Sequence, residues 1–593
     1  MSFTELTCWS EYVAMRDGVR LAVSAWLASD KENNKKKCTH KCPAVVITTR
    51  YWRAMAFKDD DPELQVYYPL ASYLSLRGYV LVVVDARGSG ASFGSRDTEV
   101  SPTEVMDIEE VIDWVAAQDW CDGRVATTGY SYTAYTTMVS LATNSPSLKL
   151  GVCRALDFDP YRYLVAPGGV INSWFIGDWG KTTAAQDAND VETLRERGRW
   201  QNLPGGAGNV LGVRPVDKDT NGRLLAGAIA EHKANYNLTG DNLTFIDTSV
   251  LGGIGLHSYH ASIEKSNLPA VIRCGWHDAG TQLGALSLFA SCNNPMRIII
   301  GPWNHAGDAR IDPFQPDDAT QFQAVSMETE FGLVVGSLDA TFKQDPPTPD
   351  DSLTDEQFGI VEYYTMGENQ WKTTKEWPLP STRMQRLYLS ADHQLSHVAP
   401  EQETACDIHQ IDLSASTGVN NRWYCQLAHP VFFNDRQQED KKLLVYDTPP
   451  LEKDTEITGH PVVHLCIRSN TTDGQFFAYL ETVDPDGRVR LLTEGQLRAL
   501  HRKVSDAPPP FKMFGPYHSL KEKDAQPLIP GEVAEIAFDL FPISVLLKKG
   551  QRIRLAIAGA DKDTFALLDG CENPEITVER NSVYASCIDL PFV

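Results

Sequence analysis

The chain has 593 residues, 54 basic against 78 acidic side chains, a formal charge of −24 and a pI near 5.0. With 42% hydrophobic and 22% charged residues it has the composition of a folded globular protein, which excludes a disordered, collagenous or low-complexity chain. Such acidity argues against binding nucleic acid or an anionic membrane through bulk charge, and the length predicts roughly two to four domains.

The N-terminal stretch MSFTELTCWSEYVAMRDGVRL has no basic flank followed by an apolar run. No run of about 18 apolar residues follows it, so neither a signal peptide nor a membrane span is expected and the cytoplasm is the expected location. The sequons at Asn237, Asn242 and Asn470 are then expected to be unused, and the 12 cysteines to be free thiols. Cys38, His40 and Cys42 are metal-ligand types, but no second pair lies nearby as a structural zinc site requires. That stretch reads as a surface loop, with no metal and no organic cofactor expected.

Residues 43–49 (PAVVITT), 79–85 (YVLVVVD) and 125–128 (VATT) are apolar, β-branched runs that suit buried strands. Between the last two, residues 103–120 repeat apolar side chains at helical spacing after a Ser101-Pro102-Thr103-Glu104 start. Strands alternating with helices predict a mostly parallel sheet covered on both faces. From 151 to 262 the alternation stops, and Trp174, Phe175, Trp179 and Trp200 sit in helical-looking segments that read as an inserted cap. Residues 270–274 and 296–300 resume the buried strands. The acidic, Pro-rich 344–356 (QDPPTPDDSLTDE) reads as a linker. From 358 to 593 short alternating segments such as 386–390, 462–467, 476–483 and 552–558 predict an all-β sandwich. The expected organisation is an α/β core in two pieces, 1–150 and 263–357, a helical cap at 151–262, and a β domain at 358–593.

The chemistry concentrates at strand ends. Residues 123–134 (GRVATTGYSYTA) run a strand through Gly129 and Tyr130 into Ser131, with a helix-capable segment behind. That is the context of a nucleophile elbow, although the usual G-x-S-x-G ends here in Thr133, with the small residue one later at Ala134. A serine hydroxyl needs a base, and the base an orienting acid. In α/β-hydrolases these follow in the order Ser, Asp, His, each after a later strand. Asp278 follows the strand at 270–274, and His305 follows the one at 296–300. His277 competes for the role of base, with His257 and His260 behind it. It directly adjoins Asp278, so on an extended segment the two point in opposite directions. Asp85, in the Gly-rich turn with Arg87, reads as an ion pair or turn cap. Trp174 and Phe175 in the cap, and Trp276 and Trp303 beside the acid and base, are candidate pocket walls.

These motifs resemble the serine hydrolases named after cocaine esterase and the nonactin-pathway hydrolase (CocE/NonD). That family is related to X-prolyl dipeptidyl peptidases and α-amino-acid ester hydrolases. The resemblance runs nearly end to end: MRDGVRLAV (15–23), DARGSGASFG (85–94), CDGRVATTGYSYTA (121–134), GWHDAG (275–280), GPWNHAG (301–307), MGENQW (366–371), EITGHPVVHL (456–465) and DPDGRVRLLTEGQLRA (484–499). It implies an α/β-hydrolase core, an inserted helical cap and a C-terminal jelly roll, with the last three motifs in the β domain. It implies Ser131 as nucleophile, His305 as general base and Asp278 as orienter. The implied oxyanion hole is the Tyr132 N–H together with the Tyr51 hydroxyl.

The expected activity is hydrolysis of a small-molecule carboxylic ester through an acyl-enzyme, without cofactor. An amide acylase, an X-Pro dipeptidyl peptidase-like activity and acyl transfer in natural-product biosynthesis are the alternatives. Members acting on α-amino esters carry acidic residues just after the triad Asp. Here Ala279-Gly280-Thr281 stand there, which counts against such a substrate unless Asp157, Asp159 or Asp178 substitutes. A catalytically dead scaffold, or a carbohydrate-binding jelly roll, is disfavoured by the intact set Tyr51, Ser131, Asp278 and His305. The sequence leaves open whether the chain is a monomer or a homo-oligomer.

Overall fold

Successive residues of a strand face opposite sides of a sheet, and the apolar runs of this chain are sorted accordingly. The computed structural model describes residues 5–29, 41–201, 206–307, 310–314, 327–342, 358–427, 429–571 and 573–593. β1 (Glu5–Ala14) and β2 (Arg20–Ser29) form an antiparallel hairpin. β3 (Cys42–Thr49) follows, and the short β4 (Met55–Phe57) lies off the main sheet, paired with β8 (Val210–Val213). β5 (Val80–Asp85), β6 (Cys121–Tyr130), β7 (Leu148–Arg154), β9 (Ala270–Gly275), β10 (Met296–Gly301), β11 (Ile360–Thr365) and β12 (Gln370–Thr374) complete a sheet in the order β1-β2-β5-β3-β6-β7-β9-β10-β11-β12. It is parallel from β5 to β11 and antiparallel at both edges.

Ala44, Val46, Val80, Val82 and Val84 face one side, against α2 (Pro102–Ala116), α3 (Tyr132–Ser140) and α8 (Thr281–Ser291). Val45, Ile47, Leu81 and Val83 face the other, against α1 (Tyr68–Ser75) and α9 (Met327–Phe342). α2 begins with a capping box, in which the Ser101 side chain bonds the Glu104 backbone and the Glu104 side chain returns to the Ser101 N–H. Between β7 and β9 lie α4 (Ser173–Asp187), α5 (Val191–Glu196), α6 (Arg223–Glu231) and α7 (His260–Ser266).

Three sequence expectations need adjustment. The core sheet does not stop at 150: β7 runs to Arg154, and its Lys149 and Gly151 break the apolar run that marks the other strands. β11 and β12, including the MGENQW turn, extend the core sheet rather than the β domain. β11, between β10 and β12, is buried along nearly its whole length, and β12, at the sheet edge, is largely exposed. Asp85 does cap its turn, accepting from Ala91 N at 2.8 Å, but its ion-pair partner is Arg53, while Arg87 holds Asp107 at 2.7 Å. The 344–356 linker, Cys38 and His40 lie outside the described residues, and Cys42 opens β3. Beyond β12 a 13-stranded antiparallel-rich sheet folds into the C-terminal β region. No helix among the described residues is long and apolar enough to cross a membrane.

Candidate active site

β6 delivers the chain to Ser131, whose φ of 60° and ψ of −124° lie outside the ordinary regions for a residue with a Cβ. A sharp turn into α3 enforces this conformation and lifts the hydroxyl off the sheet. A Cβ on Gly129 would run into the Thr133 carbonyl, so a small residue is obligatory there. Thr133, which replaces the usual second glycine, serves as a clasp: its Oγ1 accepts from Tyr130 N at 2.6 Å and donates to Tyr130 O at 2.8 Å. Tyr132 is the first residue of α3, where backbone N–H groups have no intrahelical acceptor. Its hydroxyl is anchored by donation to Glu104 Oε1 at 3.0 Å.

His305 stands beyond the end of β10 and Asp278 beyond the end of β9. His305 Nε2 lies 2.9 Å from Ser131 Oγ, and His305 Nδ1 lies 2.7 Å from Asp278 Oδ1. Asp278 is fully buried, and Thr281 Oγ1 donates to its Oδ2 at 3.0 Å. For His305, burial opposes the imidazolium, but Asp278 and then Asp157 outweigh it, and the ring's pKa lies above the usual histidine value. Asp157, just past β7, has one carboxylate oxygen buried without a partner, and burial lifts its carboxyl to about 7. Tyr130 packs its ring 5.0 Å from that of His305.

Tyr51 follows β3, with its ring 5.8 Å from that of Tyr132. Its hydroxyl accepts a hydrogen bond from Trp179 Nε1 at 3.0 Å. An indole N–H can only donate, so the phenol's own proton is left for another acceptor. Burial raises the phenol's pKa, with Arg50 opposing, so it is protonated at neutral pH. Trp179 is held between the stacked ring of Phe175 and the Arg50 guanidinium, 4.9 Å from its ring. Arg50 is itself buried against Glu99 and Asp187.

Residues 17–307 match the X-Pro dipeptidyl-peptidase (S15) family, and residues 356–582 match the X-Pro dipeptidyl-peptidase C-terminal non-catalytic domain. A Mycobacterium bovis protein named as a serine esterase is 37% identical, across 98% of this chain and 95% of its own. The chain belongs to the S15 family of serine hydrolases, in the company of the CocE/NonD enzymes. Cocaine esterase of a Rhodococcus species is 24% identical over 97% of this chain and 94% of its own. The crystal structure of a CocE/NonD family hydrolase from Staphylococcus aureus shares the fold, with a TM-score of 0.67 and 19% identity over 100% of this chain and 94% of that one. With these relatives, this S15 protein is a serine hydrolase of the esterase kind.

The pocket walls are less simply read. Trp276 is fully buried, donates to Tyr364 O at 2.7 Å and packs on Trp377, so it belongs to the core. Trp303 packs between Trp371 on the edge strand and Arg273. Each stands two residues before Asp278 or His305, where an extended chain would put both on one face, but the chain turns at 276–280 and 305–307 and sends the indoles elsewhere. Trp174 stacks on Tyr424 of the β region at 3.8 Å, which makes it a cap-to-β contact. Phe175 is buried and reaches the site only as the support of Trp179. His277 is buried beside Arg422, and burial holds its pKa well below the usual value. His257 and His260 lie in the cap and contact Asp159 and Ser291 O. Sequence reasoning did not single out Gln426, which donates to Asp278 Oδ1 at 2.6 Å, or assign a role to the Trp179 N–H. A tryptophan four residues after a phenylalanine signals one helix face, but nothing in a sequence signals the reach of Gln426.

Proposed function

We propose that this serine hydrolase cleaves carboxylic esters through an acyl-enzyme on Ser131. The continuous hydrogen-bond line from Asp278 through His305 to Ser131 carries the reading. Ser131 Oγ attacks the ester carbonyl carbon as its proton moves to His305 Nε2. The charge that develops on the carbonyl oxygen is met by the Tyr132 N–H and the Tyr51 hydroxyl. The C–O bond to the alcohol then breaks, and Nε2 returns the proton to the departing alkoxide. Water repeats the sequence on the acyl carbon, giving its proton to Nε2, which passes one to the leaving Ser131 oxygen. Asp278 holds the Nδ1–H tautomer and stabilises the imidazolium without taking its proton.

The segment after the acid supports a simple ester over an amino ester. A Cβ on Gly280 would press on Tyr163, Ala279 is fully buried, and Thr281 is spent on Asp278, so no carboxylate could occupy this turn. The S15 match keeps X-Pro peptidase-like activity as the second reading.

The deciding experiment is a hydrolysis panel with the protein beside its Ser131→Ala variant. The panel holds p-nitrophenyl esters of rising acyl length, aminoacyl anilides, an X-Pro anilide and an alcohol acceptor. Turnover confined to esters and lost in Ser131→Ala is expected, because the variant deletes one hydroxyl and no packing. Turnover of the X-Pro anilide moves the assignment to the peptidase branch, and preference for the acceptor over water moves it to acyl transfer. Unchanged ester turnover in Ser131→Ala removes the mechanism.

A further inference from the structure

The segment 420–427 (NNRWYCQL) lies in the region that matches a domain described as non-catalytic. It is not a strand and closes in a single 3-10 turn, Tyr424–Leu427. Its hold on the β region is strong. Asn421 donates to Thr417 Oγ1, Gly418 O and Thr564 Oγ1, and accepts from the backbone of Trp423 and Tyr424. Trp423 is fully buried, with its indole N–H on Glu494 Oε1 at 2.7 Å. The next contacts cross to the core. Ala279 N donates to Arg422 O at 3.1 Å, and Arg422 Nη1 donates to Ala279 O at 3.3 Å, a two-way clamp on the residue after Asp278. Gln426 then places Nε2 2.6 Å from Asp278 Oδ1, the same oxygen that bonds His305 Nδ1.

We infer that Gln426 is a positioning residue of the hydrolase, by which the β region sets the orientation and charge of Asp278. The inference rests on the triad reading above. Two consequences follow from the shared oxygen. Gln426 on Oδ1 and Thr281 on Oδ2 between them fix the carboxylate plane, so that Oδ1 stays in line with His305 Nδ1. The Gln426 amide also draws charge from Oδ1, and that weakens the carboxylate's pull on a protonated His305. A side-chain amide facing a carboxylate must present its nitrogen, since the carboxylate only accepts.

The charged and titratable groups around the pair are few and named. His305 faces Asp278, Asp157, Arg154, Tyr130 and the Ser131 hydroxyl, with Cys425 close behind. Asp278 faces His305, Gln426 and Thr281, with Cys425 Sγ at 3.8 Å and Arg422 and Cys274 nearby. Apart from Cys425 and Arg422, Gln426 is the contact to the acid that comes from the β region. Its amide is the short donor to the shared oxygen, at 2.6 Å against 3.8 Å for Cys425 Sγ.

The test uses the full chain and two substitutions, Gln426→Leu and Gln426→Met. The readouts are the pH profile of kcat/KM for the best ester, kcat at the plateau, and thermal unfolding. Losing the donor strengthens the hold of Asp278 on the imidazolium, so the acidic limb moves to higher pH in Gln426→Leu. It moves likewise in Gln426→Met, which keeps the length of the side chain and has no hydrogen to donate. Plateau kcat falls about tenfold, on the scale of one charge-assisted hydrogen bond. A bond that merely joined the two regions would lower the unfolding temperature and leave the limb in place. That outcome, in either variant, overturns the inference. Methionine matches glutamine in length, so Gln426→Met decides the matter if Gln426→Leu does not fold. Ser131→Ala separates the two readings. If it retains turnover, the triad itself fails. If it is inactive while the limb is unmoved in the Gln426 variants, only the positioning role fails.

Discussion

Tyr51 and Asp157 carry two residue-scale expectations that differ in kind. Tyr51→Phe removes a hydroxyl whose proton is unspent, and should lower kcat by about 10² with little change in KM, as for one oxyanion donor. Trp179→Phe keeps the stacking on Phe175 but frees the phenol to rotate, so it should reproduce part of that loss in kcat. A drop in unfolding temperature without a drop in kcat would make both packing residues. Asp157 acts on the base from a distance. Its charge helps to hold the His305 pKa above the ordinary value, so activity should rise with pH through a limb above about 6.5, as the imidazolium loses its proton. Asp157→Asn removes the charge that Asp157 gains as pH passes about 7 and should move the limb to lower pH, opposite in sign to the Gln426 variants. A limb that does not move in a kcat/KM profile would separate Asp157 from the base. The two carboxylates that affect His305 differ in how far they could be read. Asp278 sits at the end of a strand whose apolar run ends in Gly275, a pattern visible in the chain. Asp157 follows β7, whose interrupted run hid the strand and therefore its end.

At the scale of elements, the elbow and α2 are one unit. Glu104 is both the third residue of α2, closing its capping box, and the acceptor for the Tyr132 hydroxyl, so the start of α2 is tied to the start of α3. Burial raises its carboxyl to about 7. In the unfolded chain the same group ionises near 4.5. The folded state therefore holds a proton that the unfolded state has lost, and this contribution to stability declines as pH rises from about 4.5 to 7. Glu104→Gln keeps a bond to the Ser101 N–H and can donate to the Tyr132 oxygen, without a titrating proton. Its unfolding free energy should therefore fall less than that of the parent between pH 4.5 and 7, as denaturant melts at several pH values would show. Equal slopes would place the proton elsewhere. Residues 101–104 already read as a helix start in the sequence, because capping is local chemistry. The tie to Tyr132 was not legible, since it depends on how α2 and α3 pack.

The whole molecule joins regions that the chain presents as separate. Alternating strands and helices made the hydrolase sheet legible, and turn-separated strands made the β region legible, because both patterns follow from which face is buried. β11 and β12 lie within the 356–582 match to the C-terminal domain yet pair onto β10 in the hydrolase sheet, and a pairing between distant segments is not written in either run. The junction joins a continuous apolar cluster to the polar contacts of Arg422 and Gln426. Trp276 and Tyr363 of the core pack on Trp377, and Trp423 and Phe541 of the β region lie in the same buried cluster as α3 and α8. A Cβ on Gly280, two residues after Asp278, would meet Phe541 as well as Tyr163. Interfaces between domains of one chain are commonly polar and let the domains move, whereas this one is a core. Heating should therefore melt core and β region in one transition, with loss of ester hydrolysis at the same temperature, because Asp278 loses its Gln426 and Arg422 contacts as soon as the β region departs. Calorimetry alongside residual activity measures both. Two resolved transitions, with activity surviving the first, would mean that the β region is dispensable to the site.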